Sequence, residues 1–81
     1  MELKMKMPDL STTEGSDIAI VQWLVEIGEP VTRGQVILEV ETDKAVQEIE
    51  AIASGTLTAK LVEPKEMVAV GQFIASIEVK R

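Results

Sequence analysis

The 81-residue sequence contains no histidine, no cysteine and no tyrosine, and it has one tryptophan and one phenylalanine. Without histidine and cysteine, the chain lacks the most common general base, the thiolate nucleophile and the thiolate metal ligand. It also lacks the disulfides that stabilise small secreted domains. We therefore predict no catalytic residue, no metal site and no disulfide framework.

Basic charge is also scarce, since 14 acidic side chains outnumber 8 basic ones and the formal net charge is −6. This balance argues against a nucleic-acid partner, which needs basic patches. No apolar run approaches the roughly 18 residues of a membrane span, and the first four residues are unlike a secretory signal. We expect a soluble protein without a membrane partner, cytoplasmic in preference to the mitochondrial matrix after processing.

The apolar residues, 46% of the chain, fall in short runs rich in β-branched side chains, such as 18–25, 36–40 and 73–79. Glycine, proline and serine separate these runs, and no stretch has helical periodicity. Such runs are typical of β-strands. About eight short strands predict a single all-β domain over residues 1–81, folded as a small sandwich or flattened barrel.

The chain contains an internal repeat. At a shift of 37 residues, 9 of the 18 positions from Leu24 to Glu41 are identical to their counterparts. The halves, about 1–42 and 45–81, are each too small to fold alone, so they should share one core. Two sheets related by quasi-two-fold symmetry are the simplest arrangement.

The junction between the halves should occupy a special place under this symmetry. A shift of 40 residues aligns Lys44 with Lys4 and Gly55 with Gly15, which predicts three extra residues near residues 16–18 of the first half. The segment around Lys44 is then expected at one edge of the domain, with the chain termini at the opposite edge.

Two alternating segments meet at this junction with no glycine or proline between them. A two-residue turn at Asp43 and Lys44 places Leu38 opposite Ile49, as a half-buried strand pair requires. The Asp43 carboxylate suits the turn because it can accept hydrogen bonds from nearby backbone N–H groups. Lys44 should therefore project from the tip of a β-hairpin.

Five of the 14 acidic residues lie within six positions of Lys44: Glu39, Glu41, Asp43, Glu48 and Glu50. The hairpin register places Glu39 opposite Glu48, a like-charge pair that costs stability. A turn lysine is commonly nothing more than solvated charge. An acidic hairpin with one lysine at its tip favours a recognition target over a catalytic site.

The junction motif Glu41-Thr42-Asp43-Lys44-Ala45 resembles the lipoylation motif of the lipoyl domains of 2-oxo acid dehydrogenase complexes. The resemblance covers essentially the whole chain. It includes Met7-Pro8, Glu14-Gly15, Trp23, Val25, Glu48, Ala51, Val70-Gly71 and the glycines at 28, 34 and 55. It implies a barrel-sandwich fold, a flattened barrel of two four-stranded antiparallel sheets with quasi-two-fold symmetry.

The resemblance also implies a carrier that is not an enzyme by itself. Lipoic acid would be joined to Lys44 through an amide by a lipoate ligase or lipoyl transferase, with Glu41, Thr42, Asp43 and Ala45 forming the recognised surroundings. The lipoyl arm would accept an acyl group from a thiamine-diphosphate-dependent 2-oxo acid or acetoin dehydrogenase. It would deliver that group to coenzyme A at an acyltransferase domain, and dihydrolipoamide dehydrogenase would reoxidise it. The loop after Pro8 would influence which decarboxylase is recognised.

Two alternatives remain open from the residues. Biotinyl domains share this fold and carry a modified lysine between methionines, as in Met5-Lys6-Met7, although Lys6 falls in a predicted strand and not at the junction. The chain could also be an unmodified interaction module. Trp23 is expected to be a packing residue, and Gly28, Gly34, Gly55 and Gly71 are expected in turns.

Overall fold

Eight β-strands make up the regular secondary structure of the computed structural model, which describes residues 1–8 and 18–79. Within these ranges no helix is long and apolar enough to cross a membrane. In chain order, the strands are β1 (Glu2–Lys6), β2 (Ile18–Trp23), β3 (Pro30–Val31), β4 (Val36–Glu41), β5 (Val46–Glu50), β6 (Gly55–Lys60), β7 (Met67–Val68) and β8 (Phe73–Glu78).

The strands form two four-stranded sheets, with the orders β1-β8-β6-β3 and β5-β4-β2-β7. Every strand pair is antiparallel. The predicted all-β fold of two four-stranded antiparallel sheets is confirmed. The sheets are not closed into a barrel, because the ladders of the described residues join strands within a sheet and none joins one sheet to the other. The fold is therefore the sandwich form of the predicted architecture.

The two sheets repeat the same pairing pattern. Glu2 lies opposite Glu78 in the first sheet, just as Val46 lies opposite Glu41 in the second. The β6–β8 and β3–β6 pairs match the β2–β4 and β2–β7 pairs in the same way. The two sheets are thus related by the quasi-two-fold symmetry that the repeat predicts.

The structure corrects the predicted correspondence upstream of the repeat. Lys4 lies opposite Ser76 as Glu48 lies opposite Glu39, so the counterpart of Lys4 is Glu48 and not Lys44. The prediction from a shift of 40 residues was wrong because it rested on two isolated identities. Strand pairing sets the register instead, and it aligns β1 with β5 at a shift of 44.

The counterpart of Gly55 is likewise different from the predicted one. Gly55 lies opposite Val31 as Ile18 lies opposite Val68, so Ile18 takes the place predicted for Gly15. Gly15 and the rest of residues 9–17 lie outside the described residues, and they make up most of the predicted recognition loop between Pro8 and Trp23. Eleven residues separate β1 from β2, whereas four separate β5 from β6. The connection in the first half is therefore longer than its counterpart by more than the three residues predicted.

The core between the sheets is aliphatic. Trp23 is half-buried at its edge, where its indole N–H donates to the carbonyl oxygen of Val62 at 3.0 Å. Burial of this aliphatic surface is the main stabilising contribution available to a domain with two aromatic side chains. The buried apolar residues are Met5, Met7, Ile18, Ile20, Val25, Val31, Ile37, Leu38, Val40, Ile49, Ala51, Leu57, Val62, Val68, Ile74, Ala75 and Ile77.

Three of the four predicted turn glycines, at 28, 34 and 71, have positive φ angles between 89° and 95°. Gly55 is different, because it begins β6 and a Cβ atom there would overlap the carbonyl oxygen of Glu78. Its role is close backbone approach. At the repeat position of Gly28 the second half has Lys65, which adopts a φ of 74°.

Candidate attachment site

The β4–β5 hairpin holds the candidate lysine, and its register is the predicted one. Leu38 lies opposite Ile49, and both side chains are buried against the core. Three pairs further along the ladder, Glu41 lies opposite Val46 and both are exposed. Because the register puts the apolar pair inward, a slip of one residue would expose the core face of both strands.

The turn itself is closed by the backbone and side chain of Thr42. Its backbone N–H donates to the carbonyl oxygen of Ala45 at 2.9 Å. Its hydroxyl accepts hydrogen bonds from the backbone N–H groups of Lys44 at 3.2 Å and of Ala45 at 3.3 Å, and donates to the carbonyl oxygen of Ala45 at 3.1 Å. One hydroxyl thus uses its single donor and both acceptor positions on the turn.

The sequence motif places Thr42 only among the recognised surroundings and predicts turn-forming contacts for Asp43, whereas the structure shows that the Thr42 hydroxyl bonds the turn backbone. The side chain of Thr42 is 9% exposed, the lowest value in the turn. The available signal was its position directly before the two turn residues, because threonine hydroxyls can bond backbone groups two or three residues ahead. Thr42 is therefore a positioning residue for the lysine.

The other predicted site residues lie together around the turn. Asp43, Lys44 and Ala45 are exposed at its tip, and Glu41 is exposed at the end of β4. Thr42 fixes the backbone of Lys44 through its hydroxyl, and Lys44 is exposed at the end of the hairpin.

Negative charge surrounds the hairpin as predicted. Glu39 lies directly opposite Glu48 across β4 and β5, and the predicted like-charge pair is confirmed. Gln22 on β2 donates from Nε2 to Oε1 of Glu39 at 2.6 Å. In the described part of the chain, no group of three or more carboxylates is arranged to hold a metal ion.

Lys6, the lysine of the biotinyl alternative, has a different setting. It lies within β1 opposite Phe73, between the buried side chains of Met5 and Met7. Its Nζ atom is 5.5 Å from the centre of the Phe73 ring, a cation–π distance. Lys6 is thus part of a strand ladder, whereas Lys44 is at the tip of a turn.

A family model described as "Biotin-requiring enzyme" (Biotin_lipoyl) matches residues 3–77. The chain is 44% identical over 78 residues to the "Dihydrolipoyllysine-residue acetyltransferase component of pyruvate dehydrogenase complex" of Zymomonas mobilis, covering 93% of the chain and 17% of that protein. It is 39% identical over 77 residues to the "Lipoamide acyltransferase component of branched-chain alpha-keto acid dehydrogenase complex" of Pseudomonas putida, covering 94% of the chain and 18% of that protein. The chain thus spans less than a fifth of the length of these relatives.

Among solved structures, the fold is similar to the lipoyl domain of the 2-oxoglutarate dehydrogenase complex of Azotobacter vinelandii, determined by NMR. The TM-score is 0.75 and the sequence identity 27%, and the match covers 94% of this chain and 95% of that domain. The similarity therefore extends over both sheets.

Proposed function

The chain belongs to the biotin- and lipoyl-attachment family, and from this membership we propose that it is a lipoyl carrier domain with Lys44 as the attachment residue. A lipoyl domain is the carrier module of an acyltransferase component and is not itself catalytic. Lipoic acid, bound through an amide to a lysine, is the cofactor of such domains. The relatives of this chain point to lipoic acid and not to biotin.

The observation that carries the proposal is the position of Lys44. Of the lysines in the described residues, Lys4, Lys6 and Lys60 lie within strands and Lys65 lies in the turn before β7, whereas Lys44 is at the tip of a two-residue hairpin turn between the repeats. An enzyme can enclose such a tip without disturbing either sheet. The surroundings therefore fit a covalently attached group that must reach other active sites.

The chemistry divides between the chain and its partners. The Nζ atom of Lys44 forms an amide with an activated lipoyl carbonyl, and the activating group and one proton leave. The attached lipoyl group then supplies a dithiolane for reductive acylation, transfer to coenzyme A and reoxidation. The chain supplies a fixed turn through Thr42, an exposed acidic surface and the tether that raises the effective concentration of the acyl group at each active site.

The partners are proposed by chemical class. They are a lipoate ligase or lipoyl transferase, a thiamine-diphosphate-dependent 2-oxo acid or acetoin dehydrogenase, an acyltransferase domain and dihydrolipoamide dehydrogenase. The relatives, which are components of pyruvate and branched-chain 2-oxo acid dehydrogenase complexes, support association with such enzymes. A cytoplasmic location, in preference to the mitochondrial matrix, is part of the proposal, and imaging of a tagged protein in its native cell tests it.

Peptide mass spectrometry tests the attachment site. The chain is produced in cells that contain both lipoate and biotin ligases, alongside Lys44→Gln and the matched variant Lys6→Gln. We expect one lipoyl group on the peptide containing Lys44 in the wild type and in Lys6→Gln, and none in a folded Lys44→Gln. A biotin adduct, or an adduct on Lys6, would contradict the proposal.

A further inference from the structure

Four outward-facing positions form a row across the second sheet. Met67 on β7 lies opposite Ala19 on β2, Ala19 lies opposite Glu41 on β4, and Glu41 lies opposite Val46 on β5. Ala19 and Glu41 each lie between two buried neighbours, and Met67 lies next to buried Val68, so these side chains point away from the core. Val46 is exposed and lies directly opposite Glu41, so it shares the same face. With neighbouring strands about 4.8 Å apart, this outer row is about 14 Å long.

The outer row has three apolar side chains and one carboxylate, it is exposed at all positions except the half-buried Ala19, and it lies close to Lys44. Met67 and Val46 are 53% and 54% exposed, and Ala19 lies between Met67 and the carboxylate of Glu41. Glu41 and Val46 are the first outward pair next to the turn. At about 3.3 Å per residue, Val46 is about 7 Å along the strand from Lys44. Exposed apolar side chains gathered at one place indicate an interaction site more strongly than scattered ones.

The quasi-two-fold symmetry provides an internal comparison. The counterparts of the outer row on the first sheet are Pro30, Thr56, Glu78 and Glu2. Ala19 and Val46 therefore stand where the first sheet has Thr56 and Glu2, whereas Glu41 has a glutamate, Glu78, as its counterpart. The apolar character belongs to the sheet that carries Lys44 and is not required by the fold.

The next outward-facing row of the same sheet, farther from Lys44 along the strands, is acidic. It consists of Gln22, Glu39 and Glu48, in which Glu39 faces Glu48 and accepts a hydrogen bond from Gln22. A pair of like charges directly opposite each other is unfavourable in the free domain. A cationic side chain of a partner would relieve this repulsion, so the surface is complementary to an apolar contact next to positive charge.

We propose that the outer row Met67–Ala19–Glu41–Val46 is the docking surface for the enzyme that forms the lipoyl amide on Lys44, with a cationic group of that enzyme facing Glu41 and the Glu39–Glu48 pair. The inference rests on the proposed function. The attaching enzyme is the partner because it must reach the end of one lysine side chain and therefore covers the surface beside the turn. Enzymes that act at the far end of the lipoyl arm have no such constraint.

Attachment kinetics test this inference with purified lipoate ligase, lipoate and ATP. The test protein is the full chain carrying Met67→Gln and Val46→Thr, and the matched control carries Ile27→Gln and Val70→Thr, at positions 60% and 51% exposed and outside the outer row. We expect kcat/KM to fall about tenfold through a raised KM in the test protein and to stay near the wild-type value in the control. Circular dichroism checks that both proteins keep the wild-type fold.

Each outcome decides the inference. Equal kcat/KM in test protein and wild type, or an equal loss in the control, would overturn the docking surface while leaving the carrier function intact. Unchanged attachment with impaired reductive acylation would overturn the choice of partner, because the surface would then serve the decarboxylase. If the wild type itself accepts no lipoyl group on Lys44, the proposed function fails first and this inference fails with it.

Discussion

Replacing Thr42 by valine should loosen the turn that presents Lys44. The change keeps the size and branching of the side chain but removes the hydroxyl that makes three contacts of 3.1–3.3 Å with the backbone of Lys44 and Ala45. Each net hydrogen bond contributes about 0.5–1.5 kcal/mol, and these long bonds belong at the low end of that range. The two released N–H groups belong to exposed residues, so water can partly replace the hydroxyl.

We therefore expect Thr42→Val to lower the free energy of unfolding by about 1–2 kcal/mol. For a domain of this size, that loss corresponds to a decrease in Tm of about 5–15 °C. Thermal unfolding followed by circular dichroism measures the decrease. Amide hydrogen exchange by NMR should show lower protection of the Lys44 and Ala45 amides, with the β-ladders retained.

Two controls separate the hydroxyl from other effects. Thr42→Ser keeps the hydroxyl and should recover most of the stability. Thr58→Val measures the general effect of replacing threonine by valine at an exposed position of a strand. The Thr58 hydroxyl donates one exposed hydrogen bond, to the carboxylate of Glu2 at 3.1 Å, and lies outside the turn. If Thr42→Val lost no more stability than Thr58→Val, the assignment of the turn to Thr42 would be refuted.

Four further changes test the backbone and charge assignments. Lys65→Gly should raise the free energy of unfolding by up to about 1 kcal/mol, because it removes a side chain from a residue with a φ of 74°. Gly28→Ala, at a φ of 95°, should lower the free energy of unfolding by about 1–2 kcal/mol. Urea unfolding that ranks the two variants in the reverse order would contradict this expectation. Gly55→Ala should cost more than about 2 kcal/mol, since its methyl group overlaps the backbone of the adjacent strand, and a near-neutral result would contradict that contact. Glu48→Gln should stabilise the chain by about 0.2–1 kcal/mol at low salt by removing repulsion from Glu39, and an equal gain in high salt would show that charge is not the cause.

The hairpin was predictable because its information is local. The alternation around Leu38 and Ile49 fixes which face of each strand is buried, and a two-residue turn then follows from the spacing. The contribution of Thr42 was not predictable to the same degree, because aspartate and threonine side chains both bond turn backbones. The part that Thr42 takes in the turn depends on its burial, which the structure reveals.

Relations between distant segments were harder to predict. The counterpart of Lys4 was misassigned because β1 takes its register from β8 at the other end of the chain. Gly55 was expected in a turn because a close approach to Glu78 leaves no mark in the local sequence. Met67 comes close to the hairpin only through the pairing of β7 with β2, so no spacing pattern connects it with Lys44.

The central claim is that this chain carries an acyl group on lipoylated Lys44. Its most direct test is reductive acylation of the lipoylated chain by a panel of purified thiamine-diphosphate-dependent decarboxylases, each with its own 2-oxo acid or acetoin, followed by mass spectrometry of the peptide containing Lys44. We predict that at least one enzyme acylates the wild type on that peptide, that added coenzyme A and an acyltransferase remove the acyl group, and that Lys44→Gln is inert. Acylation that persists in Lys44→Gln, or a lipoylated wild type that no enzyme of the panel acylates, would contradict the account.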